Sequence, residues 1–124
     1  MILIPATIQD HKFIHLARKA AMLRYTSDWY EDTMDDIHMI SVDDKTVGFV
    51  QMELDDGVNV KLVVITPWHR NKGYCTELLT LLGTLYGKLK IAVHEDNPAI
   101  RLFLRLGFVQ TEYVEKFGLW RMES

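Results

Sequence analysis

The sequence predicts an α/β fold: a mixed sheet with helices on both of its faces. Three observations lead there. Hydrophobic periodicity switches between two and about 3.6 along the chain, giving the element order βααβββαβαββ. Two turn compositions, Asp43-Asp44-Lys45 and Asp55-Asp56-Gly57, divide a long β-branched stretch into three strands. Finally, 48% of the 124 residues are apolar and no linker or repeat interrupts them, so residues 1–124 read as one domain around one core.

The elements follow in order. Met1 to Ile4 is apolar and β-branched and ends at Pro5, predicting a short strand. Asp10 supplies an N-cap for a helix in which Phe13, Leu16, Ala17, Ala20, Met22 and Leu23 recur at helical spacing. Ser27 or Asp28 starts a second, brief helix to about Asp35. Ile37 to Val42, Val47 to Leu54 and Val58 to Ile65 form an antiparallel meander. The loop ending in Gly57 favours a type I turn followed by a residue at positive φ. That register sets Leu54 opposite Val58, Glu53 opposite Asn59 and Gln51 opposite Lys61. A helix from about Cys75 to Tyr86 carries Leu78, Leu79, Leu81, Leu82 and Leu85 and stops at Gly87. Leu89 to Val93 is a strand. Asn97-Pro98 opens the last helix, with Pro98 at its first position, Ile100, Phe103 and Leu104 inward, and Gly107 at its end. Phe108 to Glu115 and Leu119 to Met122 close the chain as a hairpin.

Composition removes several function classes. Fourteen basic against 17 acidic residues give a net charge of -3, which leaves no positive excess for nucleic-acid phosphates. No apolar run reaches the roughly 18 to 20 residues of a membrane span, so no membrane partner is expected. A lone Cys75 and a polar N-terminal region without a signal-peptide core indicate a cytoplasmic protein. His11 and His15 lack a third ligand nearby, and no metal is expected. A thiol at a helix start, as at Cys75, has a lowered pKa, but no partner histidine is positioned to use it.

The richest chemistry lies from Ile65 to Thr76, where a strand passes through a glycine-containing loop into the first turn of a strong helix. The first amides of a helix lack intrahelical partners and carry the positive end of its dipole, so such a junction can hold a diphosphate. A bend without a ligand explains the same residues equally well. Neither a P-loop nor a dinucleotide fingerprint is present.

Arg70-Asn71-Lys72-Gly73-Tyr74-Cys75 resembles the acyl-CoA loop (R/Q)xxGx(G/A) of the GCN5-related N-acetyltransferase (GNAT) family, with Cys75 at the usual Gly/Ala position. Asn97-Pro98-Ala99-Ile100-Arg101-Leu102-Phe103-Leu104-Arg105-Leu106-Gly107-Phe108 is similar to the family's NPAIRLYxxLGF block, with Phe103 in place of the tyrosine. The resemblance covers essentially the whole chain. It implies a GNAT-like, mostly antiparallel mixed sheet with a splay between the fourth and fifth strands, and acetyl-CoA as acyl donor. Main-chain groups near Val63, Val64 and Ile65 would pair with the pantetheine. Amides of Arg70, Asn71, Lys72, Gly73, Tyr74, Cys75 and Thr76 would hold the pyrophosphate, with Asn97 and Phe103 completing the cofactor site. The activity it implies is direct transfer of acetyl to a primary amine.

In the family the tyrosine hydroxyl often protonates the departing thiolate, which Phe103 cannot do. The strand face that often supplies a base carries Asn59 and Lys61. Glu53, across from Asn59, is the first choice for the base, and an ion pair with Lys61 is its ordinary alternative. His94 is the second choice, because histidine titrates near neutral pH. Acceptor choice is expected around Trp29, Tyr30 and Glu31, in a stretch of acidic and aromatic residues suited to a cationic amine. The expected partners are a small-molecule or peptide amine and, at most, a second copy of the chain in a homodimer. The alternative function is a weak or inactive acyl-CoA-binding or partner-binding module on the same scaffold.

Overall fold

The computed structural model describes residues 1–25 and 35–124. Most of the expected second helix, together with Trp29, Tyr30 and Glu31, lies outside the described residues, and Asp35 itself sits in a turn. Among the described residues, seven strands make one sheet: β1 (Ile2–Pro5), β2 (Ile37–Val42), β3 (Lys45–Leu54), β4 (Val58–Ile65), β5 (Leu89–His94), β6 (Val109–Val114) and β7 (Leu119–Glu123). Their order is β1-β2-β3-β4-β5-β7-β6, with β4 and β5 parallel and every other neighbouring pair antiparallel. Three helices are described: α1 (His11–Tyr25), α2 (Tyr74–Tyr86) and α3 (Ala99–Arg105). No described helix is long and apolar enough to cross a membrane.

Asp10 acts one turn earlier than its N-cap reading. The Thr7 amide donates to Asp10 Oδ2 at 2.8 Å, closing a short 3-10 turn that leads into α1. The inward stripe of α1 is also rotated from the expected one. Ile14, with Phe13 and Ala17, packs on Ile37, Met39, Phe49 and Val64, whereas Leu16 is 57% exposed and Ala20 faces out. The rotation brings Arg18 inward, where Nη2 donates to Gln51 Oε1 at 3.3 Å and the guanidinium lies 6.0 Å from the Phe49 ring centre. A buried guanidinium is tolerable only with such polar and aromatic company.

The other face of the sheet carries α2 and α3. Leu78, Leu79, Leu82 and Phe103 join Val58, Val60, Leu89, Ile91 and Val93 in the larger core. The ends of both helical stripes miss it, with Leu85 58% and Leu104 46% exposed.

Turn geometry sets the register. Asp43 and Asp44 both take positive φ, 51° and 63°, in a two-residue hairpin turn whose twist matches the strands, so β3 starts at Lys45 rather than Val47. Gly57 has φ 105°, but Asp56 is also positive at 46°, so the loop is not the expected type I turn. Gly57 has a second reason to be glycine, because a Cβ there would run into the Lys88 carbonyl oxygen. Leu54 faces Val58 and Glu53 faces Asn59, as the loop composition predicts. Beyond them the expected register fails: Gln51 faces Leu62, and Lys61 is the extra residue of a β-bulge.

The bulge adjoins the main irregularity of the sheet. The parallel ladder runs Val58↔Leu89, Asn59↔Lys90 and Val60↔Ile91, then stops, although β4 continues to Ile65 and β5 to His94. A bulge increases local twist, and this one lies where β4 loses its pairing with β5. The two strands splay, leaving the β5-facing edge of β4 beyond Val60 without a strand partner.

Candidate active site

At the end of β4 the chain turns through Thr66 to Gly73 into α2. Thr66 is buried and its hydroxyl donates to the Val47 carbonyl at 3.2 Å, fixing where the strand ends. Arg70 folds back so that Nε donates to the Ile65 carbonyl at 2.9 Å. This bond makes Arg70 a strut of the loop as well as a positive charge beside it.

Gly73, at φ 77°, is the N-cap of α2, and no side chain caps the helix. Its first-turn amides therefore keep their capacity to bind an anion. Open space surrounds the position a Cβ would take at Gly73, so the glycine serves the left-handed backbone rather than a close contact.

A cavity of about 410 Å³ opens here. Of the residues expected to hold the cofactor, Ile65, Arg70, Asn71, Gly73, Tyr74, Cys75 and Thr76 line it. Lys72 is exposed outside it, Val64 is buried under α1, and Val63 packs toward the α2 core. Their main chains nevertheless lie along the open edge of β4. Asn97 accepts the Ala99 amide through Oδ1 at 3.0 Å, a turn at the start of α3 in which Pro98, not a first helical residue, is the N-cap. Phe103 is 6% exposed, tilts against Phe108 with ring centres 5.8 Å apart and is not among the residues lining the cavity.

Three lining residues are absent from the sequence-based cofactor set: His69, Leu102 and Arg105. The signal for two of them was present, since Leu102 and Arg105 are three apart and share a face of α3. What the sequence lacks is the proximity of that face to the start of α2.

Burial pushes the Cys75 thiol up from its ordinary value of 9.0. This reverses the expectation for a helix start, because loss of water around the thiolate outweighs the helix dipole.

The structure brings Glu53, Asn59 and Lys61 together on the sheet face opposite α2. Glu53 Oε2 lies 3.3 Å from Lys61 Nζ. His94 sits elsewhere, at the far end of β5. Its Nδ1 accepts the Asp96 amide at 3.1 Å, so the neutral ring carries its proton on Nε2, the nitrogen beside Gly118. In that tautomer His94 offers a donor, and its acceptor lone pair is already engaged. Nearby, Tyr113 donates its hydroxyl to Glu95 Oε2 at 2.8 Å, a bond that holds the phenol above its ordinary pKa. A second, larger trough of about 780 Å³ lies on this face of β4, β5 and β7.

Two sites thus meet across one splay: an anion cradle on the helical face and a polar trough on the other. An acetyltransferase (GNAT) domain model matches residues 34–110, more than half of the chain. No curated protein sequence matches. Among solved structures, an acetyltransferase from Thermus thermophilus superposes with a TM-score of 0.74 at 17% identity, covering 99% of this chain and 95% of the other. Naa50 of Arabidopsis thaliana, in complex with the bisubstrate analogue CoA-Ac-MVNAL, gives 0.75 at 13% identity, with 99% and 97% covered. The PaiA N-acetyltransferase of Thermoplasma acidophilum, in complex with coenzyme A, gives 0.67 at 15% identity, with 99% and 97% covered. At these identities the superpositions establish the fold, and the domain match establishes descent: the chain belongs to the GNAT acetyltransferase family.

Proposed function

We propose that residues 1–124 act as one acyl-CoA N-acyltransferase domain that moves acetyl from acetyl-CoA to a primary amine by direct transfer. The observation that carries this reading is the adjacency of an uncapped helix start at Gly73 to the open edge of β4. Amides from Arg70 to Thr76 hold the pyrophosphate, and the main chain of Val63, Val64 and Ile65 pairs with the pantetheine as a strand would. The thioester then lies in the splay, where the amine approaches from the trough. Its nitrogen attacks the carbonyl carbon, the carbon–sulfur bond breaks, and the thiolate leaves.

The amine must first lose a proton. Glu53, beside the bulge and open to solvent, takes it through water, while Lys61, 3.3 Å away, orients the carboxylate. His94, whose Nδ1 is engaged by the Asp96 amide, is the second candidate for the base. No hydroxyl stands at Phe103, so the thiolate is protonated by water or by the ammonium product. The PaiA and Naa50 structures, one with coenzyme A and one with a CoA-peptide analogue, support an acyl donor of this class.

One observation favours a second reading. Phe103 is packed as a core residue, as it would be in a scaffold that binds acyl-CoA or a partner without turnover. Calorimetry with acetyl-CoA, followed by a free-thiol assay over a panel of amines, separates the two. Binding with thiol release on at least one amine supports transfer. Binding with none supports the inactive module, and no binding removes both.

A further inference from the structure

We propose that the acceptor is a primary amine that also bears a carboxylate, and that Lys90 receives that carboxylate. The proposal rests on the acetyl-transfer reading and names the substrate class of the same site.

On β5, Leu89, Ile91 and Val93 enter the α2 core, so Lys90, Ala92 and His94 project to the opposite face. Lateral pairing there aligns Glu53, Asn59, Lys90 and Glu123 in one row across four strands, with Ala92 beside Arg121 in the next. Ala92 is the short side chain among the longer ones that line the trough. Among the described residues no helix contributes to the lining. Val60, Lys61, Ile91 and Ala92 flank the point where the parallel ladder ends, so the trough opens into the splay from the side opposite the cradle.

The charges on this face are mostly matched. Lys61 pairs with Glu53 at 3.3 Å, Arg121 Nε with Glu112 at 3.3 Å, and Glu123 with Lys88 at 3.2 Å. Asp55 stands exposed on the turn at the rim. Lys90 is half-buried at the centre and has no ion-pair partner among the described residues. A partly desolvated ammonium gains most from an oxyanion brought by a ligand, and the Asn59 amide next to it supplies a second donor. An amine held in the splay places a carboxylate one to three bonds away within reach of Lys90. A polyamine, by contrast, would bring a further cation to Lys90, while the carboxylates of Glu53, Glu112 and Glu123 that could receive it are already engaged by Lys61, Arg121 and Lys88. The inference therefore narrows the cationic amine expected from the acidic stretch around Trp29 and Tyr30 to one that also carries a carboxylate.

The test compares glycine, β-alanine and glutamate with their carboxamides and with spermidine in a thiol-release assay, using wild-type protein, Lys90→Gln and Lys90→Arg. The expected result is a preference of about tenfold or more in kcat/KM for carboxylates, expressed in KM, lost in Lys90→Gln and kept in Lys90→Arg. Equal use of acid and carboxamide, or preference for spermidine, overturns the inference and leaves acetyl transfer intact. Amide NMR shifts at Lys90, Ala92 and Arg121 on titration with the same compounds provide a readout independent of turnover. Carboxylate-dependent shifts without thiol release keep the anion site and overturn the transfer reading. If neither shifts nor thiol release respond to the carboxylate, the inference fails.

Discussion

Gln51 faces Leu62 and not Lys61, and this one-residue slip in the β3–β4 ladder lies beside the last parallel pair of β4 with β5, Val60 and Ile91. The bulge leaves Lys61 3.3 Å from Glu53 and sits where the β4–β5 ladder ends, so the candidate base lies at the mouth of the splay.

Glu53→Gln tests the base. The ion pair is exposed, so its loss should change unfolding free energy by no more than about 0.5 kcal/mol. Turnover should nevertheless fall, by about tenfold or more at neutral pH, with acetyl-CoA affinity unchanged. Calorimetry, chemical denaturation and steady-state rates on one preparation check all three; an unaltered kcat would remove Glu53 from the mechanism.

Phe103→Tyr tests the thiolate step. Adding a hydroxyl to a side chain only 6% exposed should cost about 1 to 2 kcal/mol of stability unless it finds a partner. We expect turnover to rise with little change in KM for acetyl-CoA. A slower or unchanged enzyme, stably folded, would show that proton delivery to sulfur does not limit the rate.

Gly48→Ala should damage the cradle from a distance. Gly48 pairs with Ile65, and a Cβ at 48 would run into the Val64 carbonyl oxygen. The strand end that Arg70 and Thr66 hold must then shift, so stability should fall by about 2 kcal/mol and CoA affinity with it. Gly57→Ala, strained by its φ and blocked by the Lys88 carbonyl, should be destabilised to a similar degree. Denaturation midpoints compared with calorimetric CoA binding separate the two positions, since only Gly48 touches the strand end beneath the cradle.

Cys75 gives a pH dependence with a definite sign. Burial favours the neutral thiol, so the folded pKa lies above that of the unfolded chain. Its contribution to stability is complete below the unfolded thiol's pKa and is lost as pH rises through the folded value. Labelling of the folded protein by a thiol reagent should lag behind a free cysteine peptide between about pH 7 and 9, and saturating CoA should slow it further. Cys75→Ala should flatten the alkaline decline in stability. Labelling as fast as the peptide would contradict the burial.

The sequence by itself determined the order of the described strands and α-helices, the hairpin at Gly57 with Glu53 opposite Asn59, and the loop from Arg70 to Thr76. Each depends on contacts between near neighbours: periodicity, turn chemistry and a helix start. Tertiary structure alone decided the inward side of α1 and hence the burial of Arg18, the bulge at Lys61, the approach of Leu102 and Arg105 to the cradle, and the direction of the Cys75 shift. Each of these depends on how closely distant segments pack, and therefore on how much water is excluded between them. Local periodicity carries no record of that distance.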